Sequence, residues 1–191
     1  MKASSVSSIN IIGLSYFETD NLSRALIAVE ESEVKMLNSN FSNISFLSGP
    51  MIEILTQSKA YFTNWTVSDS TGLVLSVEQS TLNLTGGKLS FLKSNSSIFA
   101  FKKSKGIIDQ TTLSDIWSAR AISFSIMNEV KITNLTAFRF SNALIYVSNS
   151  ISLLVSNSLI FNGTSQGKGT AIILENSDAI IESSVFFNLI A

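Results

Sequence analysis

Ser32-Glu33-Val34-Lys35-Met36-Leu37-Asn38, Ser58-Lys59-Ala60-Tyr61-Phe62-Thr63-Asn64 and Ser80-Thr81-Leu82-Asn83-Leu84-Thr85-Gly86 are three statements of one phrase. A small polar residue opens it, two apolar positions alternate with others, and a polar residue or glycine closes it. Alternation over so short a run is the signature of a half-buried β-strand. The phrase recurs as a degraded copy at Ser104 to Gln110, as Asn128-Glu129-Val130-Lys131-Ile132-Thr133-Asn134, from Ile151 to Asn157, and as Ser177-Asp178-Ala179-Ile180-Ile181-Glu182-Ser183. The copies close at 38, 64, 86, 110, 134, 157 and 183, with spacings of 26, 22, 24, 24, 23 and 26 residues. Self-similarity at a steady period in this range marks a repeat architecture, in which each unit buries its apolar face on its neighbours.

The composition agrees. Of 191 residues, 45% are hydrophobic and only 14% charged, and the gap is filled by 35 Ser, 13 Thr and 16 Asn. Those three side chains compete with a helix backbone for its hydrogen bonds, so the composition predicts an all-β chain. Net charge is −1, with 13 basic and 14 acidic residues scattered along the sequence, which offers no basic face for nucleic acid. There is no cysteine and no histidine, which excludes disulfides, thiolate chemistry, Ser-His-Asp and Cys-His catalysis, and His-containing zinc sites. No apolar run approaches the length of a membrane-spanning helix, and Met1-Lys2-Ala3-Ser4-Ser5-Val6 lacks the apolar core of a signal peptide.

Two folds compete for a period near 24. A leucine-rich repeat needs L-x-x-L-x-L-x-x-N-x-L, and the nearest match, Leu135 to Asn142, brings its Asn one residue early. Ile, Val, Phe and Leu interchange freely here, which suits a coil of short parallel strands with Ser, Thr and Asn corners. The prediction is a right-handed parallel β-helix of about 7 coils, a single domain over 1–191, expected to be a fragment of a longer solenoid because no polar cap closes it. One strand of each coil ends at Val29, Val77, Phe101, Ile126, Val147 or Leu174. The next carries Val34/Met36, Ala60/Phe62, Leu82/Leu84, Val130/Ile132, Leu153/Val155 and Ala179/Ile181. A third passes through Phe41, Val67, Leu89, Leu113, Phe138, Leu159 and Val185. Stacking at about 4.8 Å turns these into columns of a continuous core. Asn38, Asn64, Asn134 and Asn157 share one column, with Gly86, Gln110 and Ser183 in the other coils. Their amides are expected to form an inward ladder that satisfies corner carbonyls.

The C-terminal stretch Gly167-Lys168-Gly169-Thr170-Ala171-Ile172-Ile173-Leu174-Glu175-Asn176-Ser177, leading to Ser183-Ser184-Val185-Phe186-Phe187-Asn188, carries a resemblance. It resembles the G-G-A-I and F-x-x-N repeats of polymorphic outer-membrane proteins and of large β-helix surface proteins in protists, within the pectin-lyase-like fold group. Phe41-Ser42-Asn43, Phe140-Ser141-Asn142 and Phe161-Asn162 are looser echoes. Gly169-Thr170 stands where those families have a Gly pair, and the Phe-to-Asn spacing is short. The resemblance implies a β-helix fold and an adhesive or structural surface role; fold transfers on such grounds far better than function.

Candidate chemistry is sparse. Polygalacturonase-like relatives use clustered aspartates with a His-Gly, whereas Asp20, Asp69, Asp109, Asp115 and Asp178 stand apart along this sequence. Pectate lyases gather carboxylates on calcium near an Arg base, and neither Arg24, Arg120 nor Arg139 shares a local motif with two carboxylates. Glu30-Glu31-Glu33 reads as a solvated edge, and Lys102-Lys103-Ser104-Lys105 as a solvated corner with an anion-binding reading beside it. Trp65 and Trp117 are candidate sugar-stacking platforms, a partly buried coil face being the commoner fate of such rings. Sequons occur at Asn21, Asn40, Asn43, Asn83, Asn95 and Asn162, the candidate glycosylation sites, and at Asn64 and Asn134, where an inward ladder would exclude a glycan.

The expected role is a non-catalytic β-solenoid segment of a surface or secreted protein, a spacer or adhesive surface, extracellular or at the cell surface. The alternative is a degenerate carbohydrate-binding or polysaccharide-active β-helix. No enzyme activity, cofactor or metal is expected. Expected partners are carbohydrate or another surface protein and flanking coils of its own chain, with no nucleic acid and no membrane span.

Overall fold

The computed structural model describes the backbone of residues 2–4, 8–127, 129–150, 152–165 and 169–191, and their side chains apart from 2–4 and 18–22. Outside the described residues fall the Asn21 and Asp20 side chains, Asn128 and Ile151 at the openings of two repeat copies, and Gly167-Lys168 of the C-terminal motif. The described residues form strands, corners and turns, with no helix, and every pairing between strands is parallel.

The repeated phrase builds the smaller sheet, one strand per coil. Its eight strands are β2 (Ile9–Ile12), β5 (Glu33–Leu37), β7 (Lys59–Thr63), β10 (Thr81–Thr85), β12 (Lys105–Asp109), β14 (Glu129–Thr133), β16 (Leu153–Ser156) and β19 (Ala179–Glu182). They pair in chain order without a slip, so Val34, Ala60, Leu82, Gly106, Val130, Leu153 and Ala179 form one column. Met36, Phe62, Leu84, Ile108, Ile132, Val155 and Ile181 form the next. These are the inward pairs expected from the alternation, and all are buried except in the last coil. The degraded copy also has its reason. A Cβ on Gly106 would already be in van der Waals contact with the Phe101 ring at 3.5 Å and with Phe124 at 3.7 Å, so a side chain as large as those of the neighbouring coils would press on these two rings, which stack at 4.8 Å on successive coils.

The twelve-stranded sheet wraps the rest of each coil. It comprises β1 (Lys2–Ser4), β3 (Ser15–Leu22), β4 (Ile27–Glu30), β6 (Asn40–Leu55), β8 (Thr66–Ser68), β9 (Thr71–Glu78), β11 (Lys88–Lys102), β13 (Thr112–Ser125), β15 (Thr136–Ser148), β17 (Leu159–Thr164), β18 (Ile172–Glu175) and β20 (Val185–Ile190). The long strands bend, with register shifts at Ser45/Pro50, Ser94/Ser97 and Trp117/Arg120. The chain is thus a parallel β-helix repeat fold of about 7 coils.

Single left-handed residues make the corners. The residues closing the phrase, Asn38, Asn64, Gly86, Gln110, Asn134, Asn157 and Ser183, all have φ between 48° and 69°. Two further columns do the same, one through Glu31, Gln79, Lys103, Ile126, Asn149 and Asn176, the other through Asn43, Asp69, Phe91, Asp115, Arg139, Asn162 and Asn188. One residue in this region turns the strand sharply, and Asn and Gly tolerate it best. The asparagine column is therefore set by backbone conformation, and Asn38, Asn64, Asn134 and Asn157 are exposed. This corrects the inward ladder expected of them: an amide at such a corner projects into solvent.

Serines form the buried ladder instead. After a left-handed corner the next N–H points into the coil, where no strand carbonyl meets it. Ser32, Ser58 and Ser80 each donate their backbone N–H to the hydroxyl of the serine one coil on, at 3.2 to 3.3 Å. Met127 interrupts the series, accepting weakly from the Ser104 N–H through Sδ at 3.4 Å, and Ser150 and Ser177 resume it.

Other expectations land one or two residues off. Ile126 is a corner, and Phe124 fills the inward place beside Val77, Phe101 and Val147. Phe138, Leu159 and Val185 face outward, while Ala137, Ile160 and Phe186 continue the column of Phe41, Val67, Leu89 and Leu113. At Ile160 and Phe186, apolar neighbours on both sides of the inward residue hid the parity. Ile126, β-branched and 47% exposed at φ 56°, is the corner residue least suited to its conformation. Ile126→Asn is expected to raise stability by about 1 kcal/mol, read as a higher urea midpoint at unchanged slope; a lower midpoint would contradict the corner account.

Candidate functional site

The outward surface just past the third corner column is where coils differ most. There β6 and β11 bulge at the two register shifts, opening a groove made of two clefts that share Thr71 and Lys93. One, of about 460 Å³, runs between Phe46, Leu47 and Gly49 of one coil and Ser94, Asn95 and Ser96 of a later one. The other, of about 670 Å³, is lined by Asp69, Ser70, Thr71, Phe91, Lys93 and Trp117. Phe91 is 52% and Trp117 44% exposed, and the Lys93 ammonium lies 5.9 Å from the Trp117 ring centroid. Register explains the neighbours: Thr71, Lys93 and Trp117 occupy one outward column on successive coils. Phe91 also sits at φ 53°, a conformation bulky side chains seldom adopt.

One coil beyond, tertiary structure joins two residues 24 apart in sequence. Arg139 donates from Nε and Nη2 to the two carboxylate oxygens of Asp115 at 2.6 and 2.7 Å. This bidentate contact, then the charge of Arg139, holds the Asp115 carboxyl below the usual range against its partial desolvation. The Arg139 guanidinium also lies over Phe138, 4.5 Å from the ring centroid. Asp109 is likewise lowered, first by a hydrogen bond from the Thr133 hydroxyl, with Asn134 Nδ2 donating at 2.8 Å. Both carboxyls have folded-state values depressed below the unfolded ones. Their contribution is complete above the ordinary carboxylate pKa, about 4, and is lost as pH falls through the lower folded-state values. Asp115→Asn is expected to lower stability by about 1 kcal/mol at neutral pH, since Arg139 is largely solvated. That penalty should vanish in strong acid, as paired urea melts would show.

The remaining sequence candidates separate. Trp65 is fully buried against Phe62 and Phe99, at 5.5 and 5.9 Å between ring centroids, so only Trp117 stands as a platform. Iodide should accordingly quench Trp117 and spare Trp65, and Trp117→Phe should leave a blue-shifted, unquenched emission. Asn64 Nδ2 donates to Asn38 Oδ1 at 3.4 Å across the outward column. Comparable amide contacts that sequence reading missed join Asn176 to Asn149 and Asn188 to Asn162, at 3.3 and 3.2 Å. Among the sequons, Asn43, Asn95 and Asn162 are exposed, Asn40 and Asn83 are half-buried, and Asn83 Oδ1 is buried without a partner. Asn64 and Asn134 are exposed too, so the steric objection to them falls with the inward ladder. Glu33 pairs with Lys35 at 2.9 Å and Lys102 with Glu78 at 3.0 Å, within the acidic and basic runs respectively. Among the described residues no three His, Cys, Asp or Glu side chains gather as a metal site, and no helix is long and apolar enough to cross a membrane.

By fold the molecule is a parallel β-helix repeat protein. No family model and no curated protein matches the chain. Among solved structures, it is similar to the enzymatically active domain of tailspike protein 2 of bacteriophage CBA120, with 9% identity over 95% of this chain and a TM-score of 0.43. It is similar also to full-length tailspike protein 2 from an Escherichia coli O157:H7 bacteriophage, with 10% identity over 95% of this chain and the same TM-score. The chain spans 39% and 35% of those proteins' lengths. The fold assignment rests on the strand register of this chain itself.

Proposed function

We propose that the chain is a non-catalytic β-solenoid segment of a surface or secreted protein, extracellular or at the cell surface, serving as a rigid spacer with adhesive faces. The observation that carries this reading is the unslipped register of the smaller sheet through eight strands. With the serine ladder at its first corner, it fixes outward side chains in straight rows about 4.8 Å apart. Such rows suit repetitive contact with an extended partner, carbohydrate or another surface protein. The test is a panel of polysaccharides incubated with the pure chain. Release of new chain ends from any of them would sink the non-catalytic reading.

A second reading, a carbohydrate-binding or polysaccharide-active β-helix, is favoured by one feature: the exposed Phe91 and Trp117 flanking a cleft with Lys93 and Asp69. An aromatic face next to hydrogen-bonding groups suits a pyranose ring. Specific glycan binding that disappears in Trp117→Ala would support it. Silence across a broad glycan array would leave the spacer. Glycosylation, if the chain is secreted by a eukaryotic cell, belongs at the exposed sequons, Asn43, Asn95 and Asn162 with Asn64 and Asn134 beside them, and peptide mass spectrometry would locate it.

A further inference from the structure

The buried serine ladder is also the floor of a surface cleft, at the corner that opens the smaller sheet. Two outward rows flank it, each three coils long. One holds Gln57, Gln79 and Lys103, all exposed, with φ of 57°, 51° and 51°. The other holds Lys59, Thr81 and Lys105, the first residues of β7, β10 and β12, paired in unbroken register. The cleft between them measures about 230 Å³. Bonds from coil to coil fix both rows. The Gln57 N–H donates to the Gln79 carbonyl at 2.8 Å, and the Lys105 N–H to the Ser80 carbonyl at 3.0 Å.

The charge in this cleft is of one sign. Lys59, Lys103 and Lys105 bring three ammonium groups, and no carboxylate lines it. By contrast, the cleft with Lys93 also holds Asp69, and one beside Arg24 holds Glu30 and Glu53. The ion pairs among the described residues join Lys35 to Glu33, Lys102 to Glu78 and Arg139 to Asp115, and leave these three lysines out. Acid bounds the cleft at its ends: in the row of Lys59 and Lys105, Glu33 stands one coil before and Glu129 one coil beyond. An anion seated among the three ammonium groups offsets their mutual repulsion and is attracted to each.

We propose that this corner cleft binds a tetrahedral oxyanion, a sulfate or phosphate ester group, borne on an extended polysaccharide. The donors select the group. A planar carboxylate is matched best by the arginine fork, which the cleft lacks, whereas lysine point charges suit a group whose oxygens point several ways. The Gln57 and Gln79 amides and the Thr81 hydroxyl add neutral donors. Two features select the carrier. At about 4.8 Å per coil, Lys59 and Lys105 stand about 10 Å apart along the axis, which suits charged groups spaced along a chain lying parallel to the solenoid. No aromatic side chain lines the cleft, so it has no platform on which a nucleic-acid base could stack. The carrier, though not the oxyanion chemistry, rests on the reading of the chain as a surface that meets carbohydrate.

Dextran sulfate or dextran phosphate, titrated calorimetrically into the full chain at low salt, is expected to bind, and unsubstituted dextran is not. Lys103→Gln with Lys105→Gln should weaken that binding at least about tenfold. Lys88→Gln with Lys131→Gln removes the same charge from exposed positions outside the cleft and should change it less than about twofold. Urea melts check that both variants stay folded. Equal losses in the two would overturn the site, as would equal binding of unsubstituted dextran. Single-stranded DNA binding as tightly as the substituted dextrans would overturn the carrier. So would inorganic sulfate or phosphate that matched the polymers group for group. Silence of every anion would overturn the whole proposal and leave the spacer reading intact, since that reading fails on cleavage of a polysaccharide and not on the loss of this cleft.

Discussion

Phe124→Ala is expected to destabilise the solenoid by about 3–5 kcal/mol, the largest effect of any single substitution argued from this structure. Phe124 is fully buried in the middle of the stack and packs on Phe101 at 4.8 Å. The two rings fill the space left by Gly106, whose column elsewhere carries Val34, Ala60, Leu82 and Val130. Truncating the ring removes its buried area and leaves a cavity that the rigid coils above and below cannot close. Because the large and small positions compensate, the loss should be partly recoverable. Phe124→Ala combined with Gly106→Val is expected to be more stable than Phe124→Ala alone. The double-mutant cycle in urea should show a coupling of about 1 kcal/mol or more, as for residues that share one cavity. Strict additivity would mean that the two positions do not share volume.

Ser80→Ala is expected to cost about 1–3 kcal/mol, the penalty for leaving a buried donor unsatisfied. The Ser80 hydroxyl accepts the Ser58 N–H at 3.2 Å and donates to the Glu78 carbonyl at 2.9 Å. Removing it strands a backbone N–H inside the coil, where neighbouring strands offer no replacement. Ser90→Ala, on the outward face, should stay within about 0.5 kcal/mol of the parent. Equal effects at the two serines would refute the ladder. Hydrogen exchange adds a local readout, since the Ser58 amide should lose protection in Ser80→Ala before its neighbours do.

The asparagines and serines show what kind of information a sequence carries. The period and the inward pairs such as Leu82/Leu84 were legible because alternation on a strand follows directly from backbone geometry. The positions closing each phrase were also legible as a column, since Asn and Gly are the residues a left-handed corner admits at least strain. Their direction was not. A corner amide can face either way until the φ of its own residue is known, and that φ sends Asn64 and Asn134 outward. The serine opening each phrase looked like filler, yet it answers the inward N–H that the corner creates. The signal was present, as Ser32, Ser58, Ser80 and Ser104 in one register, but its meaning needed the corner.

The candidate groove was hardly legible at all. Trp65 and Trp117 look alike in sequence, and only the stacking separates a core ring from an exposed one. Thr71, Lys93 and Trp117 lie more than twenty residues apart and meet because coils of 22 and 24 residues bring them to one column. Asp115 and Arg139 join for the same reason. By itself the sequence determined the repeat, its all-β character and the core columns of the smaller sheet, because there strict alternation makes burial and strand parity local consequences of residue order. Tertiary structure alone decided which polar residues face water, which apolar ones are left outside, and which distant side chains share a surface, because those depend on where each corner turns and how many residues each coil spends between corners.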